Sequence, residues 1–132
     1  MINNLHVRLK SNEGFTLIEL LVVIIILGIL MAIAIPSYLG FKDRANKSAA
    51  QANVRAAVPG IEAYAADNNG YVGATLAKLQ ASYDAGITNI TFGSTAPTTT
   101  TYCFYSTVGT YTYYKNGPAN PITQATSGVG CT

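Results

Sequence analysis

Charge is scarce in this 132-residue chain: eight basic and six acidic side chains amount to 11% of it and leave a formal +2. So small and scattered a balance builds neither the basic footprint of a nucleic-acid surface nor a site for an acidic substrate. Histidine is nearly missing, with His6 alone in the first dozen residues, which removes imidazole chemistry and most metal-ligand sets. Cysteine is limited to Cys103 and Cys131, and no Cys-x-x-Cys spacing suggests thiol redox chemistry. Beyond Asp84 a single charge remains, Lys115. Neither a Ser-His-Asp set, a phosphate-cradling glycine loop nor a metal-ligand cluster can be assembled from this inventory. The composition therefore argues against an enzyme, and no cofactor or metal is expected.

What the chain has in excess is one apolar run. Phe15 to Ile35 contains 18 apolar residues in 21, and at 1.5 Å per residue it makes a helix of roughly 31 Å, enough for a bilayer's hydrocarbon core. A secretory signal peptide would place a small-residue cleavage site after its apolar core, and nothing like one precedes Pro36. The small residue lies before the run instead, in Lys10-Ser11-Asn12-Glu13-Gly14. The polar leader Met1 to Gly14 is thus detachable without loss of the apolar helix.

Gly14-Phe15-Thr16-Leu17-Ile18-Glu19, with a basic leader before it, the long apolar run after it and then Pro36, resembles the type IV pilin and pseudopilin family. The match is specific over about the first 65 residues and architectural beyond them. The resemblance implies cleavage after Gly14 by a membrane-embedded prepilin peptidase and methylation of the new amino terminus at Phe15. It implies three regions: a leader at 1–14, a transmembrane and polymerisation helix at 15–36, and a globular head at 37–132. It also implies a subunit that waits in the cytoplasmic membrane and then joins identical subunits in an extracellular pilus. The partners it brings are an assembly platform with ATPase-driven machinery, and nucleic acid only if the filament takes up DNA. Arg8 and Lys10 before the apolar run and Lys42, Arg44 and Lys47 after it leave the positive-inside count equivocal. The resemblance and two secreted-side cysteines favour an outward carboxyl half.

Glu19 is the one ionisable side chain between Phe15 and Ile35, and a carboxylate deep in lipid costs a few kcal/mol. Two readings stand: an interfacial carboxylate with no partner, or an ion pair with the amino group of Phe15 on a neighbouring subunit. The second makes cleavage a switch for assembly, as the resemblance also implies. Gly14, lacking a Cβ, lets the backbone enter a tight protease site.

From Ser37 onward, Phe41, Ala45, Ala49, Ala52, Ala56 and Tyr64 recur near three-and-four spacing, which predicts an amphipathic helix continuing to about Asp67. Pro36 and Pro59-Gly60 are expected to kink or unwind it, with Gly28 a further weak point. Gly70 is expected to stop it, and a short helix should follow from Leu76 to Tyr83 with Thr75 as cap. Threonine, tyrosine and glycine dominate after Asp84, which is strand chemistry. Ile87 to Phe92, Tyr102 to Thr107 and Tyr111 to Lys115 are three candidate strands, with Val108-Gly109 as a hairpin connection. The expected fold is α+β, a long helix packed against an antiparallel sheet of three to four strands. A Cys103–Cys131 bridge would tie down a tail rich in glycine and proline, and it resembles the disulfide-bounded region near the pilin carboxyl terminus. Asn46-Lys47-Ser48 and Asn89-Ile90-Thr91 match glycosylation acceptors, and Thr98 and Thr99 lie in a Thr/Pro-rich turn suited to O-linked sugar.

Overall fold

The structure, a computed structural model, describes residues 14–126 and 130–131. The leader up to Glu13 and Gly128 of the tail lie outside them. Six elements follow in order: α1 Leu17–Asn68, α2 Leu76–Ser82, β1 Thr91–Phe92, β2 Cys103–Val108, β3 Tyr111–Asn116 and β4 Thr123–Gln124. The chain divides into one unit ending at Gly40 and a second beginning at Phe41.

In the first unit the described part is the start of α1 and the residues leading into it. Every side chain from Gly14 to Gly40 is exposed, including an unbroken series of Leu, Ile and Val from Leu20 to Leu27. Helix α1 is long and apolar enough to cross a membrane. With no protein packed on it, this surface belongs in a non-aqueous solvent.

In the second unit the core lies between α1 and the sheet. Val54, Ala57, Ile61 and Tyr64 of α1 join Tyr71, Leu79, Ile87, Ile90, Tyr102 and Phe104 in one cluster. Each of the larger side chains contributes about 1.5–3 kcal/mol by leaving water. Of the helical face predicted from the alanines, only Tyr64 is therefore buried. Ala50, Val54, Ala57, Ile61 and Tyr64 face inward, while Phe41, Ala45, Ala49, Ala52 and Ala56 are exposed. Both sets obey three-and-four spacing, and the one carrying Val, Ile and Tyr buries more area.

The expected unwound turns do not occur, since α1 is helical through Gly28, Pro36, Pro59 and Gly60. Each proline costs its helix one bond, to the carbonyl of Ala32 or Arg55, and the surrounding turns keep theirs. Gly60 has a packing role instead, because a Cβ there would stand 2.5 Å from Ile87 Cδ1. Gly70 has the positive φ expected of it, at 137, but the left-handed residue at the stop is Asn69, at φ 53, and the Gly70 amide closes the end on the Ala65 carbonyl at 3.0 Å. This is the Schellman pattern with asparagine in glycine's usual place.

Thr75 caps α2 as expected, its hydroxyl accepting from the Lys78 amide. The sheet runs β1-β2-β3-β4, and every pairing is antiparallel. Of the first predicted strand only Thr91–Phe92 forms. Ile87 and Ile90 serve the core from a loop, and Asn89 at φ 56 breaks the extended run between them. Val108 stays in β2 opposite Tyr111, so the hairpin turn is Gly109-Thr110. Gly109 takes φ 60, the positive first position of a type II′ turn.

Candidate functional site

The residues singled out at the head of the apolar run form a small polar knot. The Thr16 amide and hydroxyl both donate to Glu19 Oε2 at 2.9 Å, and the Glu19 amide returns to Thr16 Oγ1 at 3.3 Å. Thr16-x-x-Glu19 is a capping box: each side chain satisfies a backbone donor that the first turn of α1 leaves free. Glu19 is thus neither bare nor waiting idle. It starts its own helix, and both bonds that its carboxylate accepts use Oε2, leaving Oε1 outside the knot. The signal was legible, since a threonine three residues before a glutamate at the mouth of an apolar run is the capping-box pattern. Phe15 is 87% exposed beside it. A Cβ on Gly14 would meet nothing within 4 Å, so nothing in the described fold requires glycine there.

In the second unit a carboxylate plays a different part. Glu62 on α1 accepts the Tyr71 hydroxyl at 2.8 Å on Oε2 and the Tyr102 hydroxyl at 3.0 Å on Oε1. One side chain therefore joins the helix, the loop after it and the residue preceding β2. Burial, and then the neighbouring Glu62 carboxylate, push the Tyr71 hydroxyl up to about 12 and the Tyr102 hydroxyl further in the same direction. Tyr83 is likewise raised, by burial and by its hydrogen bond to Asp67. Beneath the sheet, Asn53 Nδ2 donates to the buried Ser106 hydroxyl at 3.0 Å. No spacing in the sequence joins Glu62 to Tyr102, forty residues away.

Cys103 and Cys131 are bonded, with their Cα atoms 5.6 Å apart. The bridge fastens the chain's end to the first residue of β2. Lys115, the lone charge beyond Asp84, is buried, and its Nζ donates to the carbonyls of Pro118 and Asn120 at 3.1 and 2.6 Å. It holds the loop after β3 and offers no cation to solvent. Among the described residues no group of three or more His, Cys, Asp or Glu side chains is placed to hold a metal ion.

The candidate sugar acceptors are dispersed. Asn89 and Thr99 are exposed. Thr98 is exposed too, but its hydroxyl accepts the Thr100 and Thr101 amides at 3.3 and 3.1 Å and so builds the turn. Asn46 is half-buried, its side chain against Gly109 at the hairpin.

The sequence matches known proteins at its amino-terminal end and, with one relative, along most of its length. Residues 9–35 match the family described as the prokaryotic N-terminal methylation motif. The chain is 37% identical over 95 residues to the type IV wide pilus major component PilA4 of Thermus thermophilus, covering 72% of each protein. It is 38% identical over 64 residues to the type II secretion system core protein G of Klebsiella michiganensis, covering 48% of this chain and 45% of that one. It is 42% identical over 60 residues to the type IV major pilin PilA of Myxococcus xanthus, covering 46% of this chain and 27% of that one. By motif, relatives and fold alike, this chain belongs to the type IV pilin and pseudopilin family.

Proposed function

We propose that this chain is the precursor of a type IV pilus subunit, cut after Gly14, methylated on Phe15 and polymerised through its apolar helix into a surface filament for adhesion, motility or DNA uptake. The observation that carries the choice of pilus is the 95-residue likeness to a pilus component, 72% of both chains. The likeness to a secretion protein G stops at 64 residues. The subunit waits in the cytoplasmic membrane, its partners being the peptidase, the assembly platform with its ATPase, and other copies of itself.

The capping box supports a two-stage use of Glu19. Before assembly Oε2 is bound to Thr16, which shares the carboxylate's charge among local donors and lowers the cost of holding it in lipid. In the filament Oε1 receives the new amino group of Phe15 on a neighbouring subunit, where exclusion of water strengthens the pair. The stretch from Gly28 to Pro36, weakened by one glycine and one missing backbone donor, is where the polymerised helix extends under load.

The test replaces Glu19 by Gln and Gly14 by Val in the native host, with filaments sheared, weighed and imaged and the mature chain followed by mass spectrometry. Glu19→Gln should give processed, membrane-held subunit and few filaments, and Gly14→Val uncut precursor. Normal filament numbers with Glu19→Gln would sink the reading. Loss of protein secretion with no sheared filaments in the parent strain would assign the chain to a secretion pseudopilus instead.

A further inference from the structure

The second unit carries its net charge at one end. Lys42, Asp43, Arg44 and Lys47 fall within its opening stretch and leave it a net +2, while the charges after Lys47 cancel, Arg55, Lys78 and Lys115 against Glu62, Asp67 and Asp84. After Asp43 the next acid on α1 is Glu62, about 27 Å from Arg44 at 1.5 Å per residue, and two tyrosine hydroxyls already occupy it. Asp43 apart, α1 offers these cations no acid within a Debye length.

Lys42 and Arg44 are exposed, and Lys47, half-buried, lies over the Tyr111 ring at 4.8 Å. At about 100° per residue, Lys47 stands about 140° from Lys42 in one direction around the helix and Arg44 about 160° from it in the other. The three cations therefore ring α1 within about 8 Å of axial rise, and do not line one face of it. The hairpin between β2 and β3 turns at the same level, with Gly109 against the Asn46 side chain. Its tip, Gly109-Thr110, is exposed and uncharged.

This ring follows closely on the apolar run. Lys42 is seven residues past Ile35, about 10 Å along a helix, and a headgroup layer fills about 5–8 Å beyond the hydrocarbon. A lysine or arginine stem reaches back across the difference. The ring also selects the occupant, because a protein docked alongside a helix meets one face of it, whereas a plane that the helix crosses meets every face. A plane that attracts cations there is an anionic lipid surface.

We propose that Lys42, Arg44 and Lys47, with the hairpin tip beside them, bind anionic phospholipid headgroups and so seat the head of the unassembled subunit on the membrane. This rests on the reading of the chain as membrane-held before assembly, and adds a retention step to it. A subunit leaving for a filament strips three cations from lipid phosphates, so a membrane richer in anionic lipid holds it more firmly.

The chain has no tryptophan, and Thr110→Trp at the exposed hairpin tip supplies a single reporter. The full-length precursor carrying it is placed in lipid nanodiscs of phosphatidylcholine, alone or with about a third phosphatidylglycerol, and quenching by headgroup-spin-labelled phosphatidylcholine is measured. Quenching should be about threefold greater in the anionic discs and should fall to the zwitterionic level at about 1 M salt, where the Debye length is about 3 Å. Lys42→Gln with Arg44→Gln changes two exposed side chains and should remove most of the difference, and adding Lys47→Gln the rest. Arg55→Gln, eight residues further along α1, should leave it intact.

Equal quenching in the two compositions would overturn the proposal, as would a difference that survives high salt or the double variant. Release of the precursor from host membranes by alkaline carbonate would refute the membrane-held reading itself. A carbonate-resistant precursor whose quenching ignores lipid charge refutes the headgroup contact alone.

Discussion

Glu62 offers the sharpest test of how the head is held. Replacing it by Ala removes the acceptor of the Tyr71 hydroxyl, at 2.8 Å, and of the Tyr102 hydroxyl, at 3.0 Å. Hydrogen bonds to a charged group contribute about 1.5–3 kcal/mol each, and a buried donor left without a partner costs about 1–3 kcal/mol. Tyr102 is 2% exposed and Tyr71 6%, so water reaches neither hydroxyl without disturbing the core. Because the two bonds share one side chain, their losses overlap, and the expected cost is about 3–5 kcal/mol. Glu62→Gln keeps one carbonyl acceptor and should cost about 1–2 kcal/mol. Tyr102→Phe should cost a similar amount, since Glu62, only half-buried, retains Tyr71 and water. In the double variant Glu62→Ala/Tyr102→Phe no orphaned Tyr102 hydroxyl remains, so the loss should fall short of the sum by about 1–2 kcal/mol.

The pH dependence has a definite sign. Tyrosine ionises near 10 when free, and Tyr71 is raised to about 12 by burial and by the Glu62 carboxylate. The stability this represents is complete below pH 10 and is lost as pH rises through 12. With Glu62→Gln the charge is gone and burial remains, so the fall still begins near pH 10, where the unfolded tyrosine ionises, but should be smaller and level off at a lower pH than in the parent. The assay is denaturant unfolding of the full chain in detergent micelles, followed by tyrosine near-ultraviolet circular dichroism between neutral and alkaline pH. A Glu62→Ala variant within 1 kcal/mol of the parent, together with strict additivity in the double variant, would refute the clamp.

Three further expectations follow from particular contacts. Reducing the Cys103–Cys131 bond, or Cys103→Ser with Cys131→Ser, should cost about 3–4 kcal/mol by freeing the loop in the unfolded chain; calorimetry with and without reductant checks this, and an unchanged melting temperature refutes it. Lys115→Met keeps the buried stem and removes the ammonium that holds the Pro118 and Asn120 carbonyls, so amide exchange over 116–121 should quicken about tenfold with the core amides unaffected; equal protection would refute that role. Gly109→Val places a branched side chain at φ 60 and a Cβ 2.6 Å from Asn46 Nδ2, and should cost about 2 kcal/mol or more in the same unfolding assay; a neutral substitution would refute the turn assignment.

The elements whose cause is local were legible in the sequence. The apolar run, the Thr75 cap and the strands around Gly109 each announce themselves within a few residues, because helix length, capping and turn chemistry act at that range. What was missed depended on which parts meet. Glu62 reads as one of several charges on a helix until Tyr71 and Tyr102 arrive from elsewhere. Ile87 and Ile90 read as a strand because a core-facing loop buries residues as a strand does, and only Asn89's backbone distinguishes them. The inverted face of α1 is a different kind of error. Alanine gives little contrast between water and core, so two alanine-bearing stripes of equal period look alike to a count of apolar positions. Side-chain size separates them, because burial is driven by area: one stripe carries Val54, Ile61 and Tyr64, and along the helix beyond Phe41 the other carries only alanine and Pro59. A stripe too small to build a core of its own is left on the outside.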